Sequence, residues 1–84
     1  MSQWDKLIER ILELDKNLRF EELRKALLRI GYIQSQPRGG SSHVTFRKTK
    51  TPPITIPKSN PINKAYIEIV RTAVLLFESE GKDE

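Results

Sequence analysis

The chain has 84 residues, of which 37% are hydrophobic and 31% charged, a size and composition typical of one folded domain rather than a disordered or fibrous protein. It has no cysteine and one histidine, which excludes disulfides, thiolate metal sites and a histidine-ligated zinc cluster, so we expect neither a metal nor a cofactor. No apolar run approaches the ~20 residues that span a bilayer. The N-terminus has no signal-peptide pattern, so we expect a cytoplasmic protein without a membrane partner.

The charge is distributed unevenly along the chain. The net charge is +4 with a pI near 9.6. Residues 17–50 carry eight basic and two acidic side chains, whereas residues 78–84 carry one basic and four acidic side chains. This concentration of positive charge in the middle of the chain indicates an anionic partner such as a nucleic acid.

Two amphipathic helices are predicted in the first part of the chain. The first covers residues 3–14, and its apolar positions recur at helical spacing: Trp4, Leu7, Ile8, Ile11 and Leu12. The second begins at Phe20 and is ended by Gly31, the usual residue just beyond a helix C-terminus. Its apolar stripe consists of Phe20, Leu23, Ala26, Leu27 and Ile30.

Three strands are predicted next. The first is short and covers residues 32–36, and a turn over residues 37–41 follows it. The second covers residues 43–48. If its Val44 and Phe46 face the helices, then His43, Thr45 and Arg47 share the opposite face, because alternate side chains of a strand point to opposite sides. The third strand covers residues 54–56 after a connection at Thr51-Pro52-Pro53, and the three strands form a meander.

A final helix is predicted with Asn60 as its N-cap and Pro61 at its first position. Its expected apolar stripe is Ile62, Tyr66, Ile69, Ala73 and Phe77, widened by Ala65, Val70 and Leu76. Residues 78–84 form a charged tail.

The order is therefore helix, helix, three strands, helix. It predicts an α+β fold in which a three-stranded antiparallel sheet has its helices on one face and leaves the His43 face open.

Residues 38–50 hold the most promising functional residues. Gly39 and Gly40 allow a sharp turn or a close approach to a ligand. His43 is a proton donor or acceptor near neutral pH, and the cations around it, Arg38, Arg47, Lys48 and Lys50, suit a phosphate. RNA cleavage fits this set, because the nucleophile is the substrate's own 2′-hydroxyl and the protein supplies an acid or base and positive charge.

Other chemistries find less support in the residues. The acidic side chains lie mostly on helices and in the tail, so the paired carboxylates of a glycosidase are not expected. The stretch Gly39-Gly40-Ser41-Ser42 leads into a strand and lacks the lysine of a nucleotide-binding P-loop. Ser41 or Ser42 with His43 lacks an acid to orient the imidazole, which disfavours a serine hydrolase.

Several segments together resemble the HicA family of bacterial toxins. They are residues 19–32, with Leu27-Leu28-Arg29-Ile30-Gly31-Tyr32 at the helix end, then Gly40-Ser41-Ser42-His43-Val44-Thr45-Phe46, and Ile54-Thr55-Ile56-Pro57. The likeness runs from residue 19 to about residue 77. It implies a fold similar to a double-stranded-RNA-binding domain, a helix, three strands and a helix, with an added N-terminal helix.

The resemblance also implies an activity. HicA proteins are mRNA interferases, endoribonucleases that need no ribosome and are held in check by a HicB antitoxin. The family's catalytic histidine falls on His43. Gly40 and either Ser41 or Ser42 take the places before it, and Lys58 is a further candidate phosphate contact. Residues 17–78 correspond to the family core, residues 1–16 to an N-terminal helical extension and residues 79–84 to an acidic tail, all within a single domain, 1–84.

Two alternatives of other classes stay open. One is a non-catalytic RNA-binding module that uses the same basic face through shape and phosphate contacts. The other is an interaction domain whose basic patch docks an acidic protein. Binding of RNA with a steep salt dependence but without cleavage favours the first, and indifference to RNA at low salt favours the second.

Overall fold

The structure is a computed structural model that describes residues 3–35, 43–59 and 61–81. Within these ranges the chain forms three helices and three strands. In chain order they are α1 (Gln3–Leu12), α2 (Phe20–Arg29), β1 (Ile33–Gln34), β2 (His43–Lys48), β3 (Thr51–Pro57) and α3 (Lys64–Gly81). The order and types of the elements confirm the predicted α+β class. The predicted turn over residues 37–41 lies outside the described residues.

The three strands form one antiparallel sheet in the order β1-β2-β3. The register pairs Ile33 with Arg47 at one end of β2 and His43 with Pro57 at the other. Thr49 and Lys50 form the tight turn between β2 and β3, and Lys50 adopts a positive φ of 68° there. The sheet is the predicted meander with β2 at its centre.

The core lies between one face of this sheet and the helices. Val44 and Phe46 on β2 are fully buried, as is Ile56 on β3, and the Phe46 ring lies 6.4 Å from that of Phe20 on α2. His43 and Arg47 are exposed. The predicted alternation along β2 is therefore confirmed, because only one face of the sheet is covered.

Helix α2 has the predicted stripe and the predicted end. All of its stripe residues are buried. Its end has the Schellman pattern, in which the Tyr32 amide donates to the Leu27 carbonyl and the Gly31 amide to the Leu28 carbonyl. Gly31 takes a φ of +108° there, which side chains other than glycine rarely adopt. At its other end, Glu22 accepts a hydrogen bond from the Arg19 amide at 2.9 Å, so a carboxylate caps the first turn.

Helix α1 packs into the same core as the other elements. It ends at Leu12, two residues before the predicted end, and its Ile8 and Ile11 are buried in the central cluster. Arg10 forms ion pairs with Asp15 in the loop after α1 and with Glu22 on α2, and these pairs stabilise the connection between the two helices. Hydrogen bonds from the Asn17 amide and from Arg10 lower the pKa of Asp15 below its ordinary value.

The strand boundaries differ from the predicted ones at both edges of the sheet. β1 has only two residues, Ile33 and Gln34, rather than the predicted 32–36. β3 begins at Thr51, so Pro52 and Pro53, predicted as a connection, lie within it. Phe46 pairs with Ile54 and Lys48 with Thr51, which leaves two prolines opposite Arg47 in a β-bulge. Prolines are tolerated there because β3 is an edge strand and a bulge needs fewer ladder hydrogen bonds.

The predicted start of the last helix is wrong. Pro61 precedes the helix, which begins at Lys64, and the side chain of Asn63 accepts a hydrogen bond from the Ala65 amide at 2.8 Å. Asn63 therefore caps the helix, in the role predicted for Asn60, which lies outside the described residues. The helix also extends to Gly81, so residues 78–81, predicted as part of the tail, are helical.

The predicted buried face of α3 is also wrong in part. Ile69, Leu76 and Phe77 are 44%, 55% and 39% exposed. Ala65 is exposed as well, whereas Val70 and Ala73 are buried as predicted. Two residues that the predicted stripe omitted, Ile67 and Val74, are fully buried. In the described part of the chain, no helix has the length and apolar composition needed to cross a membrane.

Candidate nucleic-acid interface

The sheet face turned away from the helices is called the open face below. It is formed by alternate residues of β2, namely His43, Thr45 and Arg47, and by their partners on the neighbouring strands, chiefly Ile33, Thr55 and Pro57. The Thr45 and Thr55 hydroxyls lie 3.1 Å apart in a cross-strand hydrogen bond. The face presents a histidine, a guanidinium and two hydroxyls, groups that hydrogen-bond to phosphates and sugars.

His43 lies at the beginning of β2, where the open face ends. It is exposed and is paired across the sheet with Pro57. Lys58, also exposed, directly follows Pro57. Paired Cα atoms of antiparallel strands are about 4.5–5.5 Å apart, so the Lys58 and His43 backbones are close neighbours. Of the predicted phosphate contacts within the described ranges, Lys58 is therefore the one whose backbone lies nearest to His43.

Arg47 lies on the same face as His43 but at the other end of the strand. A spacing of four residues along a strand corresponds to about 13 Å. Lys50 is farther still, in the turn beyond β2, and is exposed. Neither cation therefore lies beside His43 on the strand. Both are placed for phosphates farther along a bound strand.

Lys48 lies on the other side of β2 from His43. Its ammonium lies 5.6 Å from the centre of the Tyr32 ring and 5.1 Å from that of Phe77, and its side chain passes close to Gly31. Contacts of a cation with two ring faces are favourable. The lysine thus joins β2 to the C-terminal ends of α2 and α3, a structural role that the sequence did not predict for it.

Four other predicted site residues lie outside the described residues, namely Arg38, Gly40, Ser41 and Ser42, so they stay predictions from the sequence. Across residues 3–35, 43–59 and 61–81, no group of three histidine or acidic side chains is arranged to hold a metal ion.

Ile33 is a further residue of the open face, and sequence reasoning did not identify it. It is 71% exposed and lines a groove of about 720 Å³ with Ser35, Arg47, Lys48 and Pro53, among others. A sequence signal for it did exist: Ile33 pairs with an outward-facing arginine in any meander that has this register. With only two residues, β1 was too short for its register to be predicted from the sequence.

Comparisons with known proteins add no assignment. No family model, no curated protein and no solved structure matches this chain.

Proposed function

We propose that the protein is an endoribonuclease that cleaves RNA at the His43 end of the open face. The observation that carries the proposal is the position of His43, exposed on a polar sheet face with Lys58 beside its strand partner. The resemblance of residues 40–46 and 54–57 to HicA toxins gives the reaction type. It also gives the expected partner, a HicB-like antitoxin, and the expected substrate, mRNA.

The chemistry requires little from the protein. An imidazole that takes the proton of the ribose 2′-hydroxyl allows the oxygen to attack the adjacent phosphorus and displace the 5′-oxygen, which takes a proton from water. The products are a 2′,3′-cyclic phosphate and a 5′-hydroxyl. A cation near the phosphate stabilises the charge that develops on its oxygens. His43 takes the first role and Lys58 the second. The histidine contributes about 10²- to 10⁴-fold to the rate, the usual range for a positioned acid or base.

A comparison of three proteins, wild type, His43→Ala and His43→Gln, tests this proposal. Purified proteins are incubated with a labelled RNA, and both cleavage and binding are measured. We expect both variants to lose cleavage by about 10²-fold or more while their affinity for RNA changes little. Because His43 is exposed, the urea midpoint of both variants should match that of the wild type, so a loss of activity is not a loss of fold. Cleavage by His43→Ala at the wild-type rate would remove the assignment.

A second candidate is an RNA-binding module without catalysis. One observation favours it: the described strand residues of the open face include no carboxylate that could act as the second acid or base. In that case the wild type binds RNA with a steep dependence on salt concentration and leaves it intact. The same assay therefore separates the two functions.

A further inference from the structure

We propose that the groove beside Arg47 is a subsite for one nucleotide of single-stranded RNA, distinct from the position of His43. In this subsite a base lies against Ile33 and Pro53, and its phosphate binds Arg47. The proposal rests on the proposed function, because it extends the same open face from the reacting phosphate to a second point on the substrate.

The apolar part of the subsite is Ile33 with Pro53. Ile33 is the most exposed of the large hydrophobic residues that the structure describes, at 71%, and its strand partner is Arg47. Pro53 lines the same groove from β3, on the other side of Arg47. A single exposed isoleucine is ordinary on a protein surface, but here two apolar side chains flank a cation in a concave site. Apolar side chains can pack against the face of an unstacked base, and the cation between them can bind its phosphate.

The charge of the groove is positive. Its lining residues are Gly31, Ile33, Ser35, Arg47, Lys48, Thr49, Thr51 and Pro53. Within the described part of the chain this lining thus has two cations and no acidic residue. The Arg47 side chain is exposed, and the hydroxyls of Ser35 and Thr51 supply further hydrogen-bond groups. A phosphate is therefore favoured over an uncharged or cationic ligand.

The backbone around Arg47 is adapted to a concave site. Two residues of β3, Pro52 and Pro53, lie opposite the single residue Arg47. A bulge of this kind bends the strand and redirects its side chains, and bulges are frequent beside functional sites. The bulge sets Pro53 at the rim of the groove instead of in a regular ladder position.

The distance along β2 determines what kind of RNA fits. Arg47 and His43 are about 13 Å apart along the strand, so the groove binds a nucleotide that is not the one being cleaved. A base can enter the groove only when it is unstacked, which occurs in single strands and loops and not within a duplex. The structure thus assigns single-stranded RNA, aligned with β2, as the substrate.

Binding measurements with a 2′-O-methyl oligonucleotide test the subsite, because such an RNA lacks the nucleophile and stays intact. A 12-nucleotide single strand and its duplex are compared for wild type, Ile33→Asp, Arg47→Gln and Ile69→Ser. The last variant is the matched control, since Ile69 is an exposed isoleucine on α3 outside this groove. All variants are first compared with the wild type by urea unfolding.

We expect Ile33→Asp to weaken single-strand binding about tenfold, because it removes an apolar contact and adds a charge that repels the phosphate. Arg47→Gln should weaken it several-fold and lower the slope of log affinity against log salt by about one. Ile69→Ser should bind as the wild type does, and duplex binding should change less than single-strand binding.

Two outcomes separate this proposal from the proposed function. If His43 is required for cleavage but Ile33→Asp binds and cleaves like the wild type, the subsite is wrong and the endoribonuclease stands. If the wild type binds RNA without cleaving it, and Ile33→Asp weakens the binding of single strands, the subsite stands and the endoribonuclease proposal is wrong. An equal loss on single strand and duplex would overturn the specificity for unpaired RNA.

Discussion

Leu14 and Gly31 end the first two helices in the same way but with different side chains. After α1, the Leu14 amide donates to the Ile11 carbonyl and the Asp15 amide to the Arg10 carbonyl, the pattern that also closes α2. Leu14 has a φ of 58°, inside the small left-handed region that side chains can enter. Gly31 has a φ of +108°, outside that region. Of these two positions, only that of Gly31 therefore requires glycine.

This difference makes Gly31→Ala a specific stability test. A Cβ at this position would lie 3.4 Å from the Lys48 Cε, a flexible side chain that can move, so the cost comes mainly from the backbone. We expect a loss of about 1–2 kcal/mol in the free energy of unfolding, measured by urea denaturation. Lys25→Ala, an exposed position in the middle of α2, is the control and should change stability by less than about 0.5 kcal/mol. Equal stability of Gly31→Ala and wild type would contradict the argument.

Single residues of the site were predictable to different degrees. The exposed position of His43 follows from the alternation of β2, because Val44 and Phe46 are apolar and His43, Thr45 and Arg47 are not. The position of Lys48 did not follow. The alternation along β2 places Lys48 on the covered face, where a lysine is expected only if aromatic rings contact its ammonium. One of these rings is Phe77, which lies almost thirty residues away in sequence. Contacts between distant segments are not visible in a local pattern.

At the scale of elements, α2 was predicted with its correct buried face, whereas for α3 the sequence predicted a helix but only part of its buried face. The sequence of α2 alternates clearly between apolar and charged residues, so only one face can be buried. In α3 apolar residues occur on most sides between residues 65 and 77, and several faces satisfy the helical spacing equally. Two asparagines three residues apart, Asn60 and Asn63, also offer alternative caps. The tertiary packing selected Ile67 and Val74 in place of Ile69 and Phe77.

Two isoleucines of α3 test this orientation directly. Ile67 is fully buried, whereas Ile69 is 44% exposed, and the same substitution to alanine changes helix propensity equally at both. We expect Ile67→Ala to lower the free energy of unfolding by about 2–5 kcal/mol and Ile69→Ala by less than about 1 kcal/mol. Urea unfolding followed by circular dichroism measures both. The reverse order would support the face predicted from sequence and reject the one described here.

The edge strands show why strand boundaries are difficult to predict. Pro52-Pro53 is a strong turn signal, because proline lacks the amide that a ladder needs. On an edge strand the outer amides have no partner in the sheet, and the bulge opposite Arg47 absorbs the extra residue. The actual turn, Thr49-Lys50, contains neither glycine nor proline. Its left-handed Lys50 is a conformation that sequence rules do not assign to lysine.

At the scale of the whole molecule, α1 is part of the central core. The resemblance placed residues 1–16 outside the family core, as an extension. In the structure Ile11 is fully buried with residues of both other helices and the sheet, and the Leu12 carbonyl accepts a hydrogen bond from Arg71 of α3 at 3.1 Å. The Trp4 ring also lies 5.2 Å from the Arg29 guanidinium at the end of α2. These contacts join the first helix to each of the other two.

A helix held in this way should unfold together with the rest of the domain. The chain has one tryptophan, Trp4, which lies in α1, so its fluorescence reports on α1 while far-UV circular dichroism reports on all helices. We expect both signals to give the same urea midpoint, as in a two-state transition. Ile11→Ala should shift both midpoints downward together, with a loss of about 2–5 kcal/mol. Glu9→Ala, exposed on the same helix, should leave both nearly unchanged. A fluorescence transition that precedes the circular-dichroism transition would instead show that α1 detaches first, as an appended helix would.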